Sequence, residues 1–318
     1  MTKKKTEKID ALIFIDTNIF LDFYRIRNSN VSLKYLEEIE KHIDLIITSS
    51  QVEMEFKKNR QAVILESISE VKKINTNISV PAILSDSQAV EMILKSKRKI
   101  EEKQKILKNK IDRILKNPIY NDPVFKSLQK LFSYKSDINL NRENKIRFTI
   151  RNLAKKRFLL GYPPRKKSDN SIGDAINWEW IIKCAETTGK HIIIVTRDSD
   201  FGCTYEKESH LNDWLVQEFK QRISRKRKVI LTDKLSTAFK LVEIPVTEEM
   251  IKEEEFVINT SLSSYNMKKI REAMQDFPER TRAMQEAFRK IADLNSRFHR
   301  DSDWNNDLNF DDPVIDPE

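Results

Sequence analysis

Acidic residues recur in this chain where a parallel sheet would deliver them to one edge. The apolar run Ala11–Ile15 ends in Asp16, within Ile15-Asp16-Thr17-Asn18. The run HIIIVT at 191–196 leads into Thr196-Arg197-Asp198-Ser199-Asp200-Phe201. A third run, IDLIIT at 43–48, leads into Ser49-Ser50 and a stretch carrying Glu53 and Glu55. Asp174 follows Gly173 where another helix should begin. Carboxylates brought together repel one another and do not all stay ionised unaided. A hard divalent cation resolves this, because Mg²⁺ or Mn²⁺ prefers oxygen ligands and pairs with substrate phosphate. The chemistry that follows is metal-assisted phosphodiester hydrolysis.

Each acid also has an ordinary alternative. Asp16 could be a plain helix cap, Asp174 a first-turn acid facing the helix dipole, and Asp198 and Asp200 turn residues. Glu53 and Glu55 sit on a charged helix, where either could simply be solvated. The site reading rests on all of them falling at one sheet edge, since ligands of open parallel sheets bind beyond the carboxyl ends of the strands.

The elements that must position these groups can be read from pattern. Strands are expected at 11–15, 43–48, 191–196 and 228–231. The unalternating apolar runs fit parallel strands covered on both faces. Thr17 or Asn18 is placed to cap a helix after the first strand. Ser49 or Ser50, with Glu53 as capping-box partner, opens a helix over about 51–75. Further helices are expected at 85–116 (strongly basic, ended by Asn117-Pro118), 123–133, 141–160, 172–187, 208–223 and 232–243. Strand–helix alternation argues for an α/β fold with a central parallel sheet. The stretch 80–140 reads as a helical insertion in a domain spanning 1–245. A helical extension follows over 246–300, then an acidic tail over 301–318 expected to be disordered.

Composition limits the function. The chain has 318 residues, 58 basic against 49 acidic, and a net charge of +9. Seven of the acids lie in 301–318, so residues 1–300 carry 58 basic against 42 acidic residues, or +16. A polyanionic partner is favoured, nucleic acid first. No apolar run approaches the roughly 18 residues of a membrane span. Two cysteines make neither a disulfide framework nor a zinc set, and a reduced, cytoplasmic setting is expected. Only four glycines occur, Gly161, Gly173, Gly189 and Gly202, all in one window beside the second group of acids. Trp178 shares a helical face with Ile181 and Ile182, whereas Trp180 points elsewhere; core packing is expected for both.

At the acidic motifs the chain resembles the PIN-domain nuclease superfamily, in its branch with a long helical insertion. The matching segments are IFIDTNIFLDFYR (13–25), SSQVEMEFKKNR (49–60), PPRKKSDNSIGDAINWEWII (163–182) and IIIVTRDSDF (192–201). The resemblance covers about 11–75 and 145–242. It implies a Rossmann-like fold and a Mg²⁺ or Mn²⁺ site made by Asp16, Glu55, Asp174 and Asp198. Asp200 is an auxiliary ligand, and Asn18 and Thr196 orient the ligands. It also implies RNA as substrate ahead of DNA, and members of the superfamily act as toxins with antitoxins, in RNA processing or in phage defence. Lys57, Lys58, Arg60, Arg165, Lys166 and Lys167 flank the acids and are candidate phosphate contacts. The cluster Arg222–Lys228 could serve only the helix dipole. The basic helix at 85–116 could clamp nucleic acid or pair with a second copy. A DNA nuclease and a non-catalytic nucleic-acid-binding or assembly protein are the competing readings.

Overall fold

A computed structural model describes residues 9–72, 80–84, 87–165, 171–206 and 208–260. The chain divides into two compact units, 1–257 and 258–318. Everything below concerns the first; the helical extension beyond 260 and the acidic tail lie outside the described residues.

Seven strands occur among the described residues: β1 (Ala11–Ile15), β2 (Ile46–Ser49), β3 (Asn139–Leu140), β4 (His191–Val195), β5 (Gly202–Tyr205), β6 (Glu208–Leu211) and β7 (Val229–Thr232). Five of them make one sheet in the order β3-β2-β1-β4-β7, with every neighbouring pair parallel. β1 and β4 pair along their whole length, from Ala11 opposite His191 to Ile15 opposite Val195. Both are apolar on both faces because helices cover both sides; Ile13, Phe14, Ile15 and the β4 residues Ile192 to Val195 are fully buried. β5 and β6 form a separate antiparallel hairpin.

The helices are α1 (Thr17–Asp22), α2 (Ser29–Lys41), α3 (Ser50–Lys72), α4 (Gln88–Lys116), α5 (Pro118–Asn121), α6 (Pro123–Ser133), α7 (Ile146–Leu159), α8 (Gly173–Thr188), α9 (Asp213–Arg222) and α10 (Leu235–Leu241). A further helical stretch covers 248–257. It is tied back by Glu254, whose buried carboxylate accepts from the first amides of α10, Leu235 N at 2.5 Å and Ser236 N at 3.1 Å. Burial raises the pKa of Glu254, and these bonds work against that shift. No helix among the described residues is long and apolar enough to cross a membrane.

Several expectations need adjustment. The run 208–223 is not one helix: β6 occupies Glu208–Leu211, and α9 starts only at Asp213, capped by Asn212. The hairpin brings backbone so close that a Cβ on Gly202 would lie 2.0 Å from the His210 carbonyl. The first helix is capped by Asp16 itself, not by Thr17 or Asn18. Ser49 caps α3, accepting from Val52 N at 3.2 Å, while Glu53 turns away to Lys57 at 2.6 Å and no capping box forms. A turn of 3-10 helix takes Ile43–Leu45, so β2 begins at Ile46.

The stretch 80–140 has two characters. α4 buries no residue. α6 instead seats Leu128, Leu131 and Phe132 in the core, Phe132 edge-on to Phe20 at 5.8 Å, and β3 extends the sheet beside β2. The two are joined to α3 through Arg60. This arginine is 3% exposed and meets Asp122 at 2.6 Å. It also donates to the Ile114 carbonyl at the end of α4. Arg60 is therefore a buried staple and not a phosphate contact, a correction to the reading of its sequence motif.

Trp178 and Trp180 are both buried. Trp178 donates to Glu218 of α9 at 3.1 Å, and Trp180 to the carbonyls of Thr48 and Ile138 at 3.0 and 3.3 Å. α8 is enclosed on more than one side, so residues two apart can both be core.

Candidate metal centre

The centre lies at the carboxyl ends of β1 and β4, two neighbouring inner strands. Backbone hydrogen bonds continue past the paired residues, from Asp16 N to Val195 O and from Thr196 N to Thr232 O, each 3.0 Å. They set Asp16 and Thr196 side by side. Asp16 is extended at φ −74°, ψ 157°, and its Oδ1 accepts from Thr17 N at 2.6 Å. Its Oδ2 accepts from the Thr196 hydroxyl at 2.5 Å and from Asn18 Nδ2 at 2.8 Å. The Thr196 oxygen in turn accepts from Asp198 N at 2.9 Å. One threonine thus fixes acids that follow two neighbouring strands.

Asp174 sits in the first turn of α8, and Asp198 and Asp200 on the loop after β4. Carboxylate oxygens of these three lie within 4.8 Å of one another. Glu55 reaches the same region from α3. Its Oε1 accepts from Gln51 Nε2 at 2.7 Å and its Oε2 from the Thr17 hydroxyl at 3.0 Å. Gly173, next to Asp174, leaves room for it. Glu53 faces Lys57 and takes no part.

This crowding shows in the titration of the acids. Burial, above all, with the charges of Glu55 and Asp198, raises Asp16 to about 6, against the pull of its hydrogen bonds from Thr196 and Thr17. Burial likewise raises Asp174 to about 9, aided by the charge of Asp16, a hydrogen bond with Asp200 and the charge of Asp198. Without a counter-charge, this set does not ionise fully at neutral pH.

A hard divalent cation fits what is present. The donors are all oxygens. The side-chain amide oxygen of Asn18 (Oδ1) is buried beside them and has no hydrogen-bond partner in the protein, an acceptor suited to an ion or its water.

A family model described as a PIN domain matches residues 13–201. The chain belongs to the PIN-domain family. No curated protein and no solved structure gives a match. Membership indicates a metal-dependent nuclease in general terms, and the three-aspartate cluster agrees with it. The matched span runs from β1 to the loop after β4 and so encloses every acid of the cluster.

Around the PIN-domain acids, the flanking cations divide. Lys58 is exposed. Lys57 is held by Glu53. Arg165 lies over the Phe158 ring at 4.5 Å and is exposed. Lys166 and Lys167 lie outside the described residues. At the end of α9, Arg222 is not a solvated dipole charge: it bonds Glu179 at 2.8 Å and Glu218 at 3.1 Å.

Some supporting residues are not evident from the motifs. Gln51 holds Glu55 and is four residues before it on α3, a spacing that could have suggested the pair. Arg197, between Thr196 and Asp198, forms an ion pair with the buried Asp22 of α1 and braces the strand-end loop. Ser49 donates to Asn177 of α8 at 3.1 Å, tying β2 to the helix that carries Asp174. Neither of these last two partnerships has a local sequence signal.

Proposed function

We propose that this chain is a Mg²⁺- or Mn²⁺-dependent endoribonuclease that hydrolyses phosphodiester bonds in RNA. The observation that carries the reading is the gathering of Asp174, Asp198 and Asp200 beside the buried Asp16 at the carboxyl edge of the sheet. Asp16, Asp174 and Asp198 would hold the cation, with Asp200 and Glu55 alongside. A cation held there would lower the pKa of its bound water and stabilise charge on the scissile phosphate. The protein's own residues do the positioning. Thr196 and Asn18 orient the Asp16 carboxylate, and Gln51 and Thr17 orient Glu55. Exposed Lys58 and Arg165 are suited to flanking phosphates, and Lys57, also exposed, is ion-paired with Glu53. The PIN-domain resemblance favours RNA over DNA.

The test is hydrolysis of single-stranded RNA with Mn²⁺ by the parent chain, Asp16→Asn and Asp174→Asn, with single- and double-stranded DNA in the same buffer. RNA cleavage lost in both variants is expected; equal cleavage by the variants would overturn the assignment. A role as toxin or phage-defence effector, with an antitoxin or defence-complex partner, extends the same reading. Growth arrest on expression of the parent chain, but not of Asp16→Asn, is the result that supports it.

A further inference from the structure

We propose that Tyr162 and Trp214 form a stacking platform for unpaired nucleobases beside the metal centre. The proposal rests on the nuclease reading and specifies the form of its substrate. The two rings pack on each other with centroids 5.2 Å apart and planes 33° from parallel. Both nevertheless face solvent, Tyr162 at 40% and Trp214 at 46% exposure. Exposure of one such ring is ordinary; two exposed rings packed together offer a flat aromatic surface on which a base can stack.

Their position selects that partner. Tyr162 lies on the connection from α7 into Gly173 and Asp174. Trp214 opens α9, immediately after the hairpin that follows Asp198 and Asp200. The α9 side is fixed by short bonds: Trp214 N donates to Asn212 Oδ1 at 3.0 Å, and Asn212 N to Phe201 O at 2.8 Å. α8 and α9 run in the same direction, since Glu218 meets Trp178 while Arg222 meets Glu179 and, further along, Glu186. Trp214, one turn before Glu218, is therefore level with the turn that carries Asp174.

The two elements that carry the rings are also tied to each other. Arg157, 5% exposed, donates to the Pro163 carbonyl at 2.6 Å and to Glu179 at 2.8 Å, and pairs with Glu218. This charge network joins the backbone beside Tyr162 to the turn of α9 that follows Trp214. Exposed Arg165 at the same connection, and exposed Lys155 and Lys156 on the last turns of α7, supply positive charge. Exposed rings with cations on the neighbouring chain suit a single strand, whose bases stack while its phosphates meet cations. Duplex bases are already stacked and offer no free face.

The experiment uses the full chain carrying Asp16→Asn, so that the ligand stays intact. Tryptophan fluorescence is titrated with twelve-nucleotide oligouridine, oligothymidine, an abasic strand of the same charge and a duplex. Quenching and tight binding by the first two only are expected, and their relative affinity ranks RNA against DNA. Adding Trp214→Leu should remove the quench and weaken single-strand binding by about tenfold, whereas Trp214→Phe should stay within about twofold. Should the leucine variant not fold, Tyr162→Leu takes its place with the same expected weakening. Leucine variants that bind like the parent, or an abasic strand that binds equally well, would overturn the platform. Failure here leaves metal-dependent cleavage lost with Asp16→Asn standing. Conversely, a parent chain that binds single strands through Trp214 but never cleaves them overturns the nuclease reading alone.

Discussion

Gly173 and Glu55 approach so closely that a Cβ on the glycine would lie 2.3 Å from Oε1 of the glutamate. That carboxylate has little freedom to retreat, being held by Gln51 on one oxygen and Thr17 on the other. Gly173 has an ordinary helical backbone, and alanine there favours a helix. Gly173→Ala should therefore act on the position of Glu55 and not on the fold. Hydrolysis with Mn²⁺ is expected to drop about 10- to 100-fold, with stability within about 1 kcal/mol of the parent. Unchanged rates, measured beside a thermal melt, would show that Glu55 does not need its present place.

Thr196 makes a second such prediction. Its hydroxyl donates to Asp16 and accepts from Asp198 N. Thr196→Val keeps the shape and removes both bonds: Asp198 N loses this acceptor and Asp16 Oδ2 keeps only Asn18, at a total cost of roughly 1–3 kcal/mol. Activity should fall about 10- to 100-fold, with a weaker apparent affinity for Mn²⁺. Thr196→Ser should recover most of both. A serine variant as poor as the valine one would mean that the methyl group matters and the hydroxyl does not.

The raised carboxyls give the fold a pH dependence. Asp16 and Asp174 titrate at about 6 and about 9 in the folded chain, against an ordinary 3.8. Protonation favours the folded state at both, and ionisation opposes it. Their contribution is fully present below 3.8 and is lost as pH rises, through about 6 for Asp16 and about 9 for Asp174. The metal-free melting temperature should decline over this range. Mn²⁺ offsets the repulsion, so its stabilising shift should be larger at pH 8.5 than at pH 5.5. Asp174→Asn should raise the metal-free melting temperature at pH 8 and shrink the Mn²⁺ shift. Calorimetry with and without chelator reads all three, and a Mn²⁺ shift independent of pH would count against ionised Asp174 as a ligand.

Much of this centre was legible because it is built at strand ends. Ile15-Asp16 and Val195-Thr196 mark where two apolar runs stop, and parallel pairing puts such ends together whatever lies between them. Gly173-Asp174 was legible as a helix start. What escaped were features decided by tertiary partners. Residues 208–211 carry no pattern that separates strand from helix; β6 forms because β5 is there to pair with it. Glu53 and Glu55 are two residues apart on one helix; the resemblance points to Glu55, and the bonds to Gln51 and Thr17 hold it there while Glu53 pairs with Lys57. Buried charges were the hardest to read, since a sequence displays Arg60, Arg157 and Arg197 like any solvated arginine.

Arg60 offers the sharpest test of that last point. Its neighbours Lys57 and Lys58 suggest a phosphate-binding group, yet its guanidinium is sealed against Asp122, Tyr24 and the Ile114 carbonyl. Removing it strands the Asp122 carboxylate, which also caps α6 through Phe125 N at 3.0 Å. Arg60→Ala is expected to destabilise the chain by about 3–5 kcal/mol, as for a broken buried pair. Arg60→Ala with Asp122→Ala should cost less than the two separate changes summed. By contrast, Lys58→Ala should leave stability unchanged and reduce the slope of nucleic-acid affinity against salt by about one. If Arg60→Ala shifted that slope while melting like the parent, the arginine would belong to the binding surface after all.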